Sequence, residues 1–198
     1  MTSIGNDAFY GCSALSSISI PNNVTSIGNF AFQGCTGMTA VHITDLAAWC
    51  NISFGNVFSQ PLTNAHRLYL NGQEITDLVI SEGVTSIANY AFRGCTGLTT
   101  ATISKNVISI GSSAFSDCGG LTTVYIPNSV TSVGSFAFYK CTTLTDVYCY
   151  AEEVPDTKSN AFNSSNIGAA TLYVPAASLN AYRTTARALE RLWFDNVY

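Results

Sequence analysis

The sequence predicts a repeat solenoid: short parallel strands stacked into one concave sheet, with short helical or 3₁₀ turns on the other side. Three observations carry this expectation. Phenylalanines recur at a fixed step, Phe9 and Phe32 standing 23 residues apart, with Phe92, Phe115 and Phe138 following one another at the same interval. Cysteines keep that step, from Cys12 to Cys35 and then through Cys95, Cys118 and Cys141. A fixed period between about 20 and 50 residues marks a solenoid, a propeller or an array. Lastly, apolar alternation is confined to the end of each unit, as in Leu121-x-x-Val124-x-Ile126 ahead of Pro127. One strand per unit is too little for a four-stranded propeller blade, and the solenoid is the reading that remains.

The full unit is Val107-x-Ser109-Ile110-Gly111-x-x-Ala114-Phe115-x-x-Cys118-x-x-Leu121-x-x-Val124-x-Ile126-Pro127, and an earlier copy runs Val24-Thr25-Ser26-Ile27-Gly28, Ala31-Phe32, Cys35, Met38, Val41-x-Ile43. This pattern resembles the BspA-like class of leucine-rich repeats. The likeness is close over residues 4–43 and 80–150. Residues 44–79 and 151–198 match only as the irregular turns and end caps such proteins carry. The resemblance implies a leucine-rich-repeat-like solenoid at a bacterial or protist cell surface, used for attachment to host proteins or other cells.

Taken in order, the first copy runs from Ile4 to Ile20-Pro21 and the second from Val24 to Ile43. Branched Val24 and Ile27 suit a short extended segment that Gly28 breaks, and Ala31-Phe32-x-x-Cys35 has helical or 3₁₀ spacing. Pro21 and Pro127 fall just after a strand, where a missing N–H does least harm. Phe32 and Phe92 are 60 residues apart, 37 more than one period. Within that excess, Asp45 reads as the N-cap of a short helix through Cys50. Leu68-Tyr69-Leu70 followed by Asn71-Gly72 reads as a hairpin feeding a strand from Asp77 to Ile80. Residues 44–79 are therefore expected to form an enlarged irregular turn of the solenoid, with a dedicated binding loop as the alternative.

Repeats resume at Val84, Val107 and Val130, then loosen after Tyr150. Ala161-Phe162 comes 24 residues after Phe138 without its cysteine, and Leu172-Tyr173-Val174-Pro175 supplies the last expected strand. Ser178 to Leu192 reads as an amphipathic helix, with Leu179, Tyr182, Ala186 and Leu189 on one face and a solvated row of Arg183, Arg187 and Arg191 on another. The expected organisation is a solenoid of about seven turns over 1–175 and a helical cap over 176–198, because an open solenoid needs a polar end.

Hydrophobic residues make up 47% of the chain and charged residues 10%, which suits a long shared core and excludes disorder. The net charge is −4 with eight Lys and Arg, too few for a phosphate-binding surface, so no nucleic acid is expected as partner. No stretch is long and apolar enough to predict a transmembrane segment. Met1 enters a repeat at its middle with no leader, so the chain is expected to be a piece of a longer exported protein, extracellular or at the cell surface.

Five of the seven cysteines share one column and are expected as buried free thiols rather than disulfides. There is no C-x-x-C pair, and His42 and His66 have no ligand spacing with cysteine, so no metal and no cofactor are expected. No P-loop, nucleophile elbow or H-E-x-x-H motif occurs, and the chain is not expected to be an enzyme. His42 is expected as an exposed polar histidine, with a meeting in space with Asp77 or Cys50 as the alternative.

The informative surface is the outer face of the strands, because a period of two sends the residue between the apolar pair outward. Copy by copy that position holds Ser19, His42, Val79, Thr102, Tyr125, Tyr148 and Tyr173. Thr123 and Asp146 occupy the adjoining outward column, and Tyr69 joins from the enlarged turn. Tyrosine combines apolar area with a hydroxyl at small entropy cost, which suits it to binding; the alternative is cross-strand packing alone. The expected role is recognition of a protein, such as a host or neighbouring-cell surface protein. A glycan stacking on the tyrosines and a structural spacer without a ligand are the rivals.

Overall fold

The computed structural model describes residues 1–188 and 196–198, with side chains described through Thr185 and again from Asn196. Each regular solenoid turn, or coil, contributes two strands. The first coil forms β1 (Ser3–Ile4) and β2 (Ser17–Ile20), and the second β3 (Ser26–Ile27) and β4 (Ala40–Ile43). The enlarged region holds α1 (Leu46–Cys50), β5 (Ser53–Phe54), α2 (Leu62–Ala65), β6 (Leu68–Leu70), β7 (Gln73–Glu74) and β8 (Asp77–Val79). Regular coils then give β9 (Ser86–Ile87) and β10 (Thr100–Thr102), β11 (Ser109–Ile110) and β12 (Thr123–Ile126), and β13 (Ser132–Val133) and β14 (Asp146–Cys149). The chain ends with β15 (Asp156–Thr157), β16 (Thr171–Tyr173), α3 (Leu179–Ala188) and β17 (Asn196–Val197). No helix among the described residues is long and apolar enough to cross a membrane.

The strands stack in two rows. Two-residue strands form one, in the orders β1-β3-β5 and β9-β11-β13-β15; the longer strands, ended by the two-residue β7 and β17, form the other, in the orders β2-β4-β6-β7 and β17-β16-β14-β12-β10-β8. The expected single sheet is thus divided. Its cause is the hairpin: Asn71 (φ 50°) and Gly72 (φ 84°) turn the chain back so that β7 pairs antiparallel with β6 and takes the edge where the next coil would add. The other pairings are parallel and in register, as Ser17↔Ala40 and Thr100↔Thr123 show.

Between the rows, the phenylalanine column stacks ring on ring. Phe9–Phe32, Phe92–Phe115, Phe115–Phe138 and Phe138–Phe162 have centroids 5.2, 5.2, 5.3 and 4.9 Å apart. The far side consists of single i→i+3 turns, such as Cys118 N–H to Phe115 O (3.4 Å), which left-handed Ser113 (φ 54°) and Asp117 (φ 60°) stop from continuing as helix. These turns add a third ladder between coils: Phe92 N–H donates to Ala114 O (2.8 Å) and Phe115 N–H to Ala137 O (2.7 Å). The repeat glycine permits the approach, since a Cβ on Gly111 would lie 2.6 Å from the Asn89 nitrogen.

The cysteine column caps those phenylalanines. Cys35 Sγ–H donates to Phe9 O (3.1 Å), Cys118 to Phe92 O (3.1 Å) and Cys141 to Phe115 O (3.3 Å). Ser165, standing where the last cysteine is missing, donates to Phe138 O in the same way. All seven cysteines are free thiols and six are buried; Cys12, in the first coil, is exposed, against the expectation for its column.

The enlarged region stays inside this scheme. Asp45 caps α1 by accepting from Ala48 N–H (3.0 Å), and β5 and β6 pair with β3 and β4. Its side chains serve carbonyls of the coils on both sides: Asn64 donates to Phe32 O (2.9 Å), Trp49 Nε1 to Ala91 O (2.9 Å), and buried Gln60 to Tyr90 O (2.7 Å) and Ala91 O (2.8 Å).

The helical cap differs from the expectation at its end. Tyr182 of α3 is buried and donates to Ala151 O (2.9 Å), but the chain returns to the sheet as β17 beside β16. Leu189, Arg191 and Leu192 lie outside the described residues, as do the side chains of Ala186 and Arg187. Arg183 is not merely solvated, since its Nη2 donates to Val197 O (3.0 Å).

Candidate binding surface: the tyrosine ladder

Strands β10, β12, β14 and β16 place Thr102, Tyr125, Tyr148 and Tyr173 in one register line. Their apolar neighbours Val124, Val147 and Leu172 point into the core and are buried, which fixes the tyrosines outward. The rings stack face to face: Tyr125–Tyr148 at 4.8 Å and 12°, and Tyr148–Tyr173 at 4.4 Å and 8°. Reduced hydration within the stack, then the nearby Tyr173 and Asp146, hold the Tyr148 phenol above its ordinary value of 10.0. Because stacking uses the ring faces, the surface presents ring edges and hydroxyls.

The adjoining outward column reads Asp77, Thr100, Thr123, Asp146, Thr171 and Asn196. Thr145 Oγ1 donates to Asp146 (2.8 Å), and Thr100 Oγ1 to Asp77 (2.8 Å). Thr123 Oγ1 lies 3.5 Å from that of Thr122. Of the residues expected at the site, Tyr125, Tyr148, Tyr173, Thr123 and Asp146 are brought together.

Tyr69 is not. It sits on β6 in the other sheet, in register with His42, and stacks on that ring at 5.0 Å with its hydroxyl donating to Glu74 (3.4 Å). Tyr69, rather than Asp77 or Cys50, is the neighbour of His42. The hairpin is the reason, because it ends the first sheet before the tyrosine line begins.

One member of the line escapes the sequence reading. Leu172 pairs with Val197, and Tyr198 exchanges backbone bonds with β16, donating to Leu172 O (2.9 Å) and accepting from Val174 N–H (2.8 Å). Tyr198 therefore stands beside Tyr173, 67% exposed. Its signal was present: Val197-Tyr198 repeats the Val124-Tyr125 and Val147-Tyr148 dipeptides.

Among the described residues no group of three or more His, Cys, Asp or Glu is placed to hold a metal ion. Burial pushes the Cys50, Cys95 and Cys141 thiols up to about 12 and Cys118 well above its ordinary value, so these groups stay protonated and unreactive near neutral pH.

The family model for the BspA type leucine rich repeat region matches the chain in 6 copies over residues 1–60 and 65–183. No curated protein matches it. Among solved structures, a leucine rich cell surface protein from Faecalibacterium prausnitzii is 31% identical, with a TM-score of 0.57 over 88% of this chain and 43% of that one. A leucine-rich repeat protein from Eubacterium ventriosum is 20% identical, with a TM-score of 0.52 over 89% of this chain and 65% of that one, a likeness of fold alone. The chain thus spans less than half the length of the Faecalibacterium protein.

Proposed function

The chain belongs to the BspA-type leucine-rich repeat family, and from that premise we propose that it is a non-enzymatic recognition module that holds a protein partner against its tyrosine ladder at a cell surface. The observation that carries this reading is the in-register line Tyr125, Tyr148 and Tyr173, extended by Tyr198, on a sheet face whose neighbouring column is polar. Solenoids use such extended faces for partners. The surface location is supported by the Faecalibacterium relative, which is named as a cell surface protein. Face-to-face stacking favours a protein over a glycan, because a sugar ring needs an open aromatic face and the interior faces of the ladder are taken.

The test is retention from host extracellular-matrix and epithelial-surface extracts by the wild type and by the Tyr125→Ala, Tyr148→Ala, Tyr173→Ala triple variant, both shown folded by circular dichroism. Retention of a protein by the wild type alone, undiminished by soluble sugars, is expected. Equal retention by both proteins would remove the ladder from the site, and competition by sugars would favour the adhesive glycan reading. No retention by either supports a spacer role.

A further inference from the structure

The ladder stops abruptly at its β10 end. Thr102 stands beside Tyr125 where a further ring would continue the stack, and the step leaves a hollow lined by Thr102, Ile103, Lys105, Tyr125, Pro127 and Tyr150. Adjacent strands lie about 4.8 Å apart, which is also the spacing at which aromatic rings stack. Tyr125 is covered by Tyr148 on its other face, at 4.8 Å. Tyr150, 52% exposed, reaches the same hollow from the following coil.

We propose that this step is an anchor pocket for one uncharged aromatic side chain of a protein partner, stacked on the open face of Tyr125 above Thr102. The charge around the pocket decides the class of occupant. Lys105 is the sole ionisable cation in the lining, and its Nζ is paired with Glu82 Oε1 at 3.0 Å. That exposed pair sums to zero charge beside the hollow, and the remaining walls are ring, proline, isoleucine and the threonine floor, which suit an apolar ring better than a phosphate or carboxylate. A tyrosine or phenylalanine side chain completes the stack at the spacing the strands impose.

A comparable step occurs in the first sheet. There Ser19, His42 and Tyr69 stand in register as Thr102, Tyr125 and Tyr148 do, His42 stacks on Tyr69, and a hollow again opens at the small residue, lined by Ser19, Pro21 and His42 with the hairpin residues Asn71 and Gly72. A small residue followed by two stacked rings borders a hollow in both places; the lining proline ends the small residue's strand in one (Pro21) and the first ring's strand in the other (Pro127).

This inference rests on the proposed protein-binding role of the ladder, and two experiments separate them. The first titrates p-cresol, the tyrosine side-chain analogue, into ¹⁵N-labelled wild type. Saturable amide shifts are expected at Thr102, Ile103, Tyr125 and Tyr150. Thr102→Tyr fills the step with the protein's own ring at an exposed strand position that favours tyrosine, and should weaken p-cresol at least about tenfold, whereas Thr102→Ser should leave it unchanged. No saturable shift in the wild type, or equal binding by Thr102→Tyr with its fold confirmed by thermal melting, overturns the pocket. Shifts of the same amides by methyl β-glucoside and not by p-cresol also overturn it, in favour of a glycan. The second experiment repeats partner retention with Thr102→Tyr. Partner lost by the triple alanine variant but kept by Thr102→Tyr defeats the anchor and spares the ladder. Saturable p-cresol binding with no partner retained defeats the ladder's role and spares the pocket.

Discussion

The carbonyl oxygens of Phe9, Phe92, Phe115 and Phe138 each take a second donor from a side chain three positions after the next coil's phenylalanine, while Phe32 O takes its own from Asn64 of the enlarged region. That the column Cys35, Cys118 and Cys141 would be small and buried was legible from the 23-residue step; that it donates hydrogen bonds was not, because a repeat period records position and not partner. Ser165 makes the role visible, since it shares the bond and not the sulfur, accepting from Cys141 N–H (2.9 Å) as well as donating to Phe138 O. Ser165→Ala should destabilise by about 1–3 kcal/mol in urea unfolding while Ser165→Cys recovers most of the loss. Phe115→Ala, which empties a fully buried position between two stacked rings, should cost about 3–5 kcal/mol by the same measurement. The thiols also set a pH dependence. Below their ordinary value of 9.0 both folded and unfolded chains keep the protons; above it the unfolded chain releases them while folded Cys50, Cys95 and Cys141 hold theirs to about 12. Stability should therefore fall as pH rises from 9 to 12, and Cys95→Ser should lower the slope by about one proton.

At the scale of elements, Asp45 and the Asn71-Gly72 pair were legible because caps and tight turns are local chemistry written in a few adjacent residues. The division of the sheet was not, because it depends on which strand wins the free edge of β6, a contest between a two-residue turn and a coil arriving from farther along the chain. β17 was missed for a related reason: the apolar and arginine spacing before it suggests a helix, and only its residues Asn196-Val197 and the Tyr198 that follows match the strand column. The junction between the two halves relies on Gln60, whose Oε1 also accepts from Leu62 N–H (3.0 Å). Gln60→Leu should cost about 1–3 kcal/mol, because it strands buried polar groups on both sides. Hydrogen exchange should show it first as faster loss of protection at Leu62.

For the whole molecule, the period alone carried the architecture, since a unit that cannot bury its own apolar face has to stack. The candidate surface was legible to the same degree, because in-register parallel pairing turns equal positions into neighbours; Tyr69 failed that inference where the pairing is interrupted. Stability of such a stack is close to a sum over coils and their interfaces. Deleting residues 107–129, which moves Phe138 into register 23 positions after Phe92, should leave a cooperatively unfolding protein with a lower midpoint in calorimetry. Deleting half that length should abolish cooperative unfolding, since every following side chain would change face. The hairpin has a consequence for how such a chain can grow. Gene duplication or loss of a unit to either side of it lengthens or shortens one array while leaving the other's row of rings untouched, so the two sheet faces can diverge in length and sequence independently within one continuous backbone.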